Sequence, residues 1–209
     1  MTSASTNKDL VVLAADKNMQ FAVKGLLART KDVGIRPVTF DIFVHPDRDP
    51  GCRNSSHDFL RFALKSHAHA MVVFDRAGGW IDSIERIELE AEVEQRLRRN
   101  GWQDRSAAVV IDPELENWVW SDSPVVSDLL GWRGRYVELR AQLEQRGFLR
   151  PQQTKPDRPK EALEFALWQA RKQRSSSIYA EIARQVDFRP CVDPAFIKLR
   201  QTLAGWFPA

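Results

Sequence analysis

Three aspartates, Asp16, Asp75 and Asp112, each stand at the end of a short apolar run. Carboxylates are hard oxygen ligands, and the chain has no Cys and His cluster that would favour zinc, so Mg²⁺ or Mn²⁺ is the expected ion. If the runs are neighbouring strands of one parallel sheet, their ends share an edge, and a cation would relieve the repulsion among the carboxylates. The alternative is that each aspartate only caps the helix that follows it. We expect all three to be metal ligands and catalytic residues.

The stretch that begins at Asp112 carries further carboxylates and two tryptophans. If it is helical, Glu116 lies four residues after Asp112 on the same face, which makes Glu116 a fourth candidate catalytic residue. Glu114 and Glu116 would then lie about 200° apart, so both could not face one metal. We expect Trp118 and Trp120 to pack in the core rather than to stack on bases.

Four apolar runs predict the strands that position these residues, and amphipathic periodicity predicts the helices between them. The predicted strands are residues 10–15, 38–44, 70–74 and 107–111, and predicted helices follow the first strand and cover residues 55–66 and 82–99. Strands that alternate with helices need crossover connections. The expected fold class is therefore α/β, with a mostly parallel sheet and helices on both faces.

After residue 113 the sequence predicts helices alone, at residues 114–120, 124–130, 136–146, 160–171, 176–186 and 194–206. We divide the chain into a flexible tail at residues 1–8, an α/β core at residues 9–132 and a basic helical lobe at residues 133–209. The lobe carries 15 basic and 8 acidic residues. This excess suits a polyanion such as nucleic acid, although solvated helix faces give the same pattern.

Seven basic residues are candidates for contact with nucleic-acid phosphates. Two follow strand-end aspartates directly, and the others lie in the two densest basic stretches of the lobe. Their alternative role is to be exposed and solvated. The candidates are Lys17, Arg76, Lys155, Lys160, Arg171, Lys172 and Arg174.

The remaining composition limits the class of protein. No apolar run is long enough to cross a bilayer, the start of the chain lacks the apolar region of a secretory signal, and two distant cysteines do not suggest a disulfide framework, so a cytoplasmic protein is expected. The loop at residues 45–52 holds His, Asp and Cys at the same predicted edge as the aspartates. Its turn-forming residues explain this composition without a site, and both interpretations stay open.

The acidic positions at 16 and 75 and the segment Asp112 to Trp118 resemble the Toprim-like proteins of bacterial defence islands, a group that includes the OLD-family nucleases. The resemblance covers about residues 9–122. It implies Mg²⁺-dependent cleavage of phosphodiester bonds in nucleic acid, in a protein of phage defence that works with other defence-system proteins.

The chain departs from that pattern at two positions. The group has a glutamate after its first strand, where this chain has the shorter Asp16, and it has paired aspartates where this chain has Asp75, Arg76 and Ala77. The alternative is therefore a non-catalytic subunit that binds nucleic acid or a partner protein. A nucleotide sensor is a third interpretation, which the lack of a phosphate-binding glycine loop disfavours.

Overall fold

The computed structural model describes residues 7–77, 84–121 and 123–209. A sheet of four parallel strands lies at its centre, in the order β2-β1-β3-β4. The strands are β1 (Lys8–Ala14), β2 (Phe40–Val44), β3 (His67–Asp75) and β4 (Ser106–Ile111). The predicted α/β class and parallel sheet are confirmed.

Helices connect and follow the strands. They are α1 (Lys17–Leu27), α2 (Thr30–Val33), α3 (Arg48–Phe59), α4 (Arg86–Leu97), α5 (Glu116–Val119), α6 (Pro124–Leu129), α7 (Tyr136–Gln145), α8 (Pro159–Gln169), α9 (Ser176–Gln185) and α10 (Pro194–Trp206). A 3₁₀ turn follows α3, and a π turn follows α4. The helix predicted at residues 82–99 corresponds to α4, and its predicted start at residue 82 lies outside the described residues. Within the described ranges, every helix is too short or too polar to span a bilayer.

The prediction of a loop up to residue 53 was wrong, because α3 already begins at Arg48. Its first turn contains Asp49, Pro50 and Gly51, residue types that suggest a turn but also fit the start of a helix: aspartate is favourable near the positive end of the helix dipole, and proline is tolerated in the first turn. A β-carbon at Gly51 would lie 2.0 Å from Nδ1 of His45. Glycine therefore lets the buried His45 ring pack against the new helix.

Helices pack around the sheet, and two of them come from the basic lobe. Leu10, Val12 and Met71 of the sheet lie against Leu26 of α1 and Leu199 of α10. In addition α9 packs along α1, α3 packs on β3, and α4 packs on β4. Of the last two helices of the lobe, α10 therefore packs on the sheet and α9 packs on α1.

Two glutamates of α4 cover the free edge of β4. Glu90 Oε1 accepts a hydrogen bond from the backbone N–H of Val110 at 3.0 Å, and Glu94 Oε1 accepts one from Ala108 at 3.0 Å. Lys198 of α10 donates to both glutamates, at 3.2 Å and 2.7 Å. These bonds satisfy edge N–H groups that would otherwise be open to pairing with another strand, and they fasten α10 to the sheet.

We predict that Glu90→Ala lowers the free energy of unfolding by about 3 kcal/mol, since Glu90 is buried and its loss leaves the Val110 N–H without its acceptor and removes a carboxylate partner from Arg86 and from Lys198. Urea unfolding measures the effect. Gln95→Ala, on the exposed side of the same helix, is the control and should change stability by less than about 0.5 kcal/mol. Equal losses in the two variants would contradict the role of Glu90.

Candidate functional site

Asp75 ends β3 with a carboxylate that the fold leaves unsatisfied. Its Oδ1 atom is buried and has no hydrogen-bond partner in the described part of the chain. Its backbone N–H donates to Oδ1 of Asp49 at 2.8 Å, which ties the first turn of α3 to the end of β3. A buried acceptor without a donor is unfavourable, so this oxygen is suited to bind a proton or a cation.

Four other carboxylates surround Asp75 closely enough to act on its charge. Burial raises the pKa of Asp75 well above its ordinary value, and Asp49, Glu116, Asp16 and Glu114 raise it further, in that order. We call these five residues the acidic cluster. Their mutual repulsion in a partly desolvated place favours a bound proton or a bound cation.

Asp16 combines the two roles that the sequence left as alternatives. Its side chain caps α1, because one carboxylate oxygen accepts the backbone N–H of Met19 at 2.8 Å. The same carboxylate raises the pKa of Asp75 and of Asp49. The cap fixes its position, and the parallel order β1-β3-β4 places it at the edge where β3 ends, as predicted.

Asp112 lies at the predicted edge, where its carboxylate is paired with Arg76. Its Oδ2 accepts a hydrogen bond from Nη1 of Arg76 at 2.8 Å. Asp75 is paired with Ile111 in the sheet, so Arg76 and Asp112 each come one residue later. Successive side chains of a strand point to opposite sides. The structure therefore separates Asp112 and Arg76 as an ion pair of their own, and it gives no support to the prediction that Asp112 joins Asp16 and Asp75 at one ion.

The two glutamates after β4 both belong to the acidic cluster, because α5 begins only at Glu116 and Glu114 precedes it in irregular chain. The expectation that they face opposite sides of one helix was wrong for this reason. Glu116 is buried and accepts hydrogen bonds from the Tyr179 hydroxyl, at 2.6 Å, and from the Arg174 guanidinium. Glu114 Oε1 accepts the backbone N–H of Lys160 at 3.0 Å, and burial and Glu116 raise its pKa.

Asp49 is the site residue that our sequence reasoning did not single out. It lies in the first turn of α3, in the segment that the sequence predicted as a loop and whose role was left open, and the edge position was the signal that favoured it. Burial raises its pKa, and Asp16 adds to this effect. The Cys52 thiol one turn later is buried, and burial, Asp49, Asp16 and Asp75 all raise its pKa, so it stays neutral.

The seven predicted cations lie in three kinds of surroundings. Lys17, Lys160 and Arg174 line one open cleft beside Asp16. Three others are held by main-chain carbonyls: Arg76 by Ile84, Lys155 by Asn117 and Lys172 by Leu129. Arg171 is exposed. The candidates from the sequence therefore include three residues of one cleft and three residues whose side chains bind main-chain carbonyls elsewhere in the fold.

The tryptophans of the segment after β4 pack as expected. Trp120 is buried, and its indole N–H donates to the Pro159 carbonyl at 2.8 Å. Trp118 donates to Asp193 at 2.9 Å and packs edge-on against Phe196. Both rings therefore join this segment to α8 and α10, and neither lines the cleft.

The donor set fits a hard divalent cation in chemical type. Within the described residues, no three His, Cys, Asp or Glu side chains converge closely enough to hold a metal ion by themselves. Mg²⁺ does not require such a group, since it keeps several waters and is often held by only one or two carboxylates. Asp75, with its unpartnered oxygen, and Asp49 beside it are the residues best placed for that role.

Comparison with family models, with curated proteins and with solved structures finds no match for this chain. The resemblance to Toprim-like proteins therefore stays a prediction.

We predict that Asp75→Asn stabilises the protein at pH 8 in EDTA. The raised pKa means that the folded state holds its proton more tightly than the unfolded state, so wild-type stability falls as pH rises from the ordinary aspartate pKa, near 4, toward the folded pKa. Asparagine has no such titration. The gain in free energy of unfolding should be at least about 1 kcal/mol at pH 8 and should shrink toward pH 4.

Urea unfolding across this pH range measures the gain. Asp112→Asn is the matched control, because Asp112 is half-exposed and paired with Arg76; it should lose up to about 1 kcal/mol at pH 8. A lower stability of Asp75→Asn than of wild type at pH 8 would show that the Asp75 charge is satisfied in the fold.

Proposed function

We propose that this protein is a divalent-metal-dependent nuclease that cleaves phosphodiester bonds of nucleic acid. The observation that carries the proposal is the buried, unpartnered oxygen of Asp75 among four further carboxylates at the carboxyl edge of a parallel sheet. Ligands of open parallel sheets bind at this edge. The expected cofactor is Mg²⁺ or Mn²⁺.

Asp75 and Asp49 would hold the ion, and the Asp16 carboxylate would add negative charge beside it. When bound, the ion would stabilise charge that develops on the phosphate and orient the attacking water. Glu114 is suited to accept a proton, because burial and Glu116 raise its pKa toward the working range of a general base. Glu116, which the sequence analysis proposed as catalytic, instead orients Arg174 and Tyr179.

A basic cleft next to the acidic cluster supports nucleic acid as the substrate. Asp16 lines the cleft and belongs to the cluster, and Arg174 lines the cleft and binds Glu116. A phosphate in the cleft would therefore lie next to the proposed metal. A place in phage defence, together with other defence proteins, follows from the resemblance alone and is part of this proposal, as is the cytoplasmic location expected from the composition.

The second candidate function is a non-catalytic subunit that binds nucleic acid or a partner protein. The contacts of Glu116 favour it, since its hydrogen bonds to Arg174 and Tyr179 leave it less available as a metal ligand. In that case the basic cleft would be the working surface, and the acidic cluster would be the remnant of a metal site.

We predict that the purified chain cleaves labelled DNA or RNA with Mg²⁺ or Mn²⁺ and not with EDTA. Asp75→Asn should lower the rate at least about 100-fold, because it removes the central metal ligand. Asp112→Asn should keep the rate within about threefold of wild type, because Asp112 is paired with Arg76 outside the cluster. The assay follows product formation on denaturing gels.

Two outcomes would contradict the nuclease proposal: cleavage that persists in EDTA, or wild-type rates for Asp75→Asn. If the protein binds nucleic acid but does not cleave it under any of these conditions, the non-catalytic subunit is the correct function.

A further inference from the structure

An open cleft of about 540 Å³ lies at the carboxyl ends of β1 and β2. Four of its lining residues are cations and one is a carboxylate. The residues are Ala15, Asp16, Lys17, Asn18, Val44, His45, Pro46, Arg48, Lys160 and Arg174. The cleft is thus a concave surface with an excess of positive charge.

Three of the cations are free to bind a ligand. Lys17, Arg48 and Lys160 are exposed, and within residues 7–77, 84–121 and 123–209 their side chains make no hydrogen bond or ion pair. The fourth, Arg174, is already bound to Glu116 and Glu164. Glu114 lies close enough to Lys160, and Asp49 close enough to Arg48, for the cation to lower the pKa of the carboxyl group, so both cations are partly compensated without being bound.

The starts of four helices meet at this cleft. Lys17, Arg48 and Lys160 lie in the first turns of α1, α3 and α8, and Arg174 directly precedes the Ser175 that caps α9. Each of these helices has ten or more residues. Their dipoles point positive ends toward the cleft and add to the side-chain charge, an arrangement that favours phosphate groups.

Of the described residues that line the cleft, none is an exposed aromatic ring on which a base could stack. Apart from the charged groups, its lining is mostly small and aliphatic: Ala15, Val44 and Pro46. The His45 ring is buried, and its nitrogens are bonded to the backbone N–H of Asp47 and to the Ser55 hydroxyl. Proteins that read single-stranded bases use exposed aromatic rings, which this surface lacks.

We propose that the cleft binds the phosphodiester backbone of a nucleic acid through Lys17, Arg48 and Lys160, without reading its bases. The inference rests on the proposed function in taking the anion to be a nucleic acid, and it adds the mode of recognition and a residue, Arg48, that the sequence did not single out. Phosphate contacts position a nucleic acid but carry no sequence information. The substrate is then chosen by its backbone, and base sequence has little effect.

Arg48 allows a test that does not depend on folding. Its backbone is left-handed, with φ of 52°, a conformation that glycine adopts without strain. Arg48→Gly therefore removes the guanidinium and relieves the backbone at once. The variant should be at least as stable as wild type in thermal unfolding, so any loss of binding reflects the lost cation.

The experiment measures binding of short fluorescein-labelled DNA and RNA of unrelated sequences by anisotropy, in EDTA and at several salt concentrations. Wild type should bind all sequences of one strand type with Kd values within about threefold, since phosphates carry no sequence information. The variant Lys17→Gln, Arg48→Gly, Lys160→Gln should bind at least about tenfold more weakly, and the slope of log affinity against log salt should fall by about three.

The control variant, Lys31→Gln, Lys65→Gln, Arg133→Gln, loses the same net charge from exposed cations outside the cleft. It should bind within about twofold of wild type. Equal weakening of the two triple variants, more than tenfold dependence on base sequence, or no binding at low salt would each overturn the proposal.

The EDTA condition separates this inference from the nuclease proposal. Asp112→Asn should bind as wild type does, because Asp112 is paired with Arg76 and does not line the cleft. Cleft-dependent binding without any cleavage would support the inference and reject the nuclease. Cleavage that the cleft variant leaves unchanged would support the nuclease and reject the inference.

Discussion

The burial of the Asp75 carboxylate is the constraint around which this edge of the sheet is organised. Among the residues that the structure describes, one of its oxygens has no donor, and four other carboxylates raise its pKa. An ionised group in such a place is unfavourable by several kcal/mol unless it is paired. The fold can meet this cost only with a proton or with a cation. Asp49 and Asp16, which could have pointed toward solvent, are instead held nearby by a hydrogen bond and a helix cap.

The acidic cluster and the basic cleft adjoin each other at this edge of the sheet. Asp16 belongs to the acidic cluster and also lines the basic cleft. Arg174 links them, because it lines the cleft and also binds Glu116, while Tyr179 donates to the same glutamate. Burial and the Glu116 charge raise the pKa of Tyr179, so its hydroxyl stays protonated as a donor. Anion and cation sites placed this way neutralise one another, which suits a phosphate ester next to a metal.

The sequence predicted the sheet well, because its information is local. Each strand is a short apolar run, and an aspartate after such a run marks the carboxyl end of a parallel strand. Asp16 and Asp75 were therefore placed correctly at one edge. Asp112 shows the limit of this reasoning: the register of β3 and β4 pairs Asp75 with Ile111, so Asp112 comes one residue later, beside Arg76, and the apolar pattern of each strand does not give the register between strands.

Other parts of the site depend on contacts that no local pattern encodes. Glu114 stays outside α5, so its position relative to Glu116 could not be read from helical spacing. Asp49 entered the site because α3 begins one turn after β2, although its neighbours suggested a loop. Lys155 and Lys172 looked like phosphate ligands and proved to bind main-chain carbonyls across long sequence separations.

The contacts of Lys198 with Glu90 and Glu94, which cover the edge of β4, affect the order in which parts of the fold form during synthesis. Lys198 lies on α10, and Asp193 at the start of that helix also holds Asn117 and Trp118 beside the acidic glutamates. A chain still growing on the ribosome lacks these contacts until α10 has emerged. The acidic cluster is then among the last parts of the fold to form.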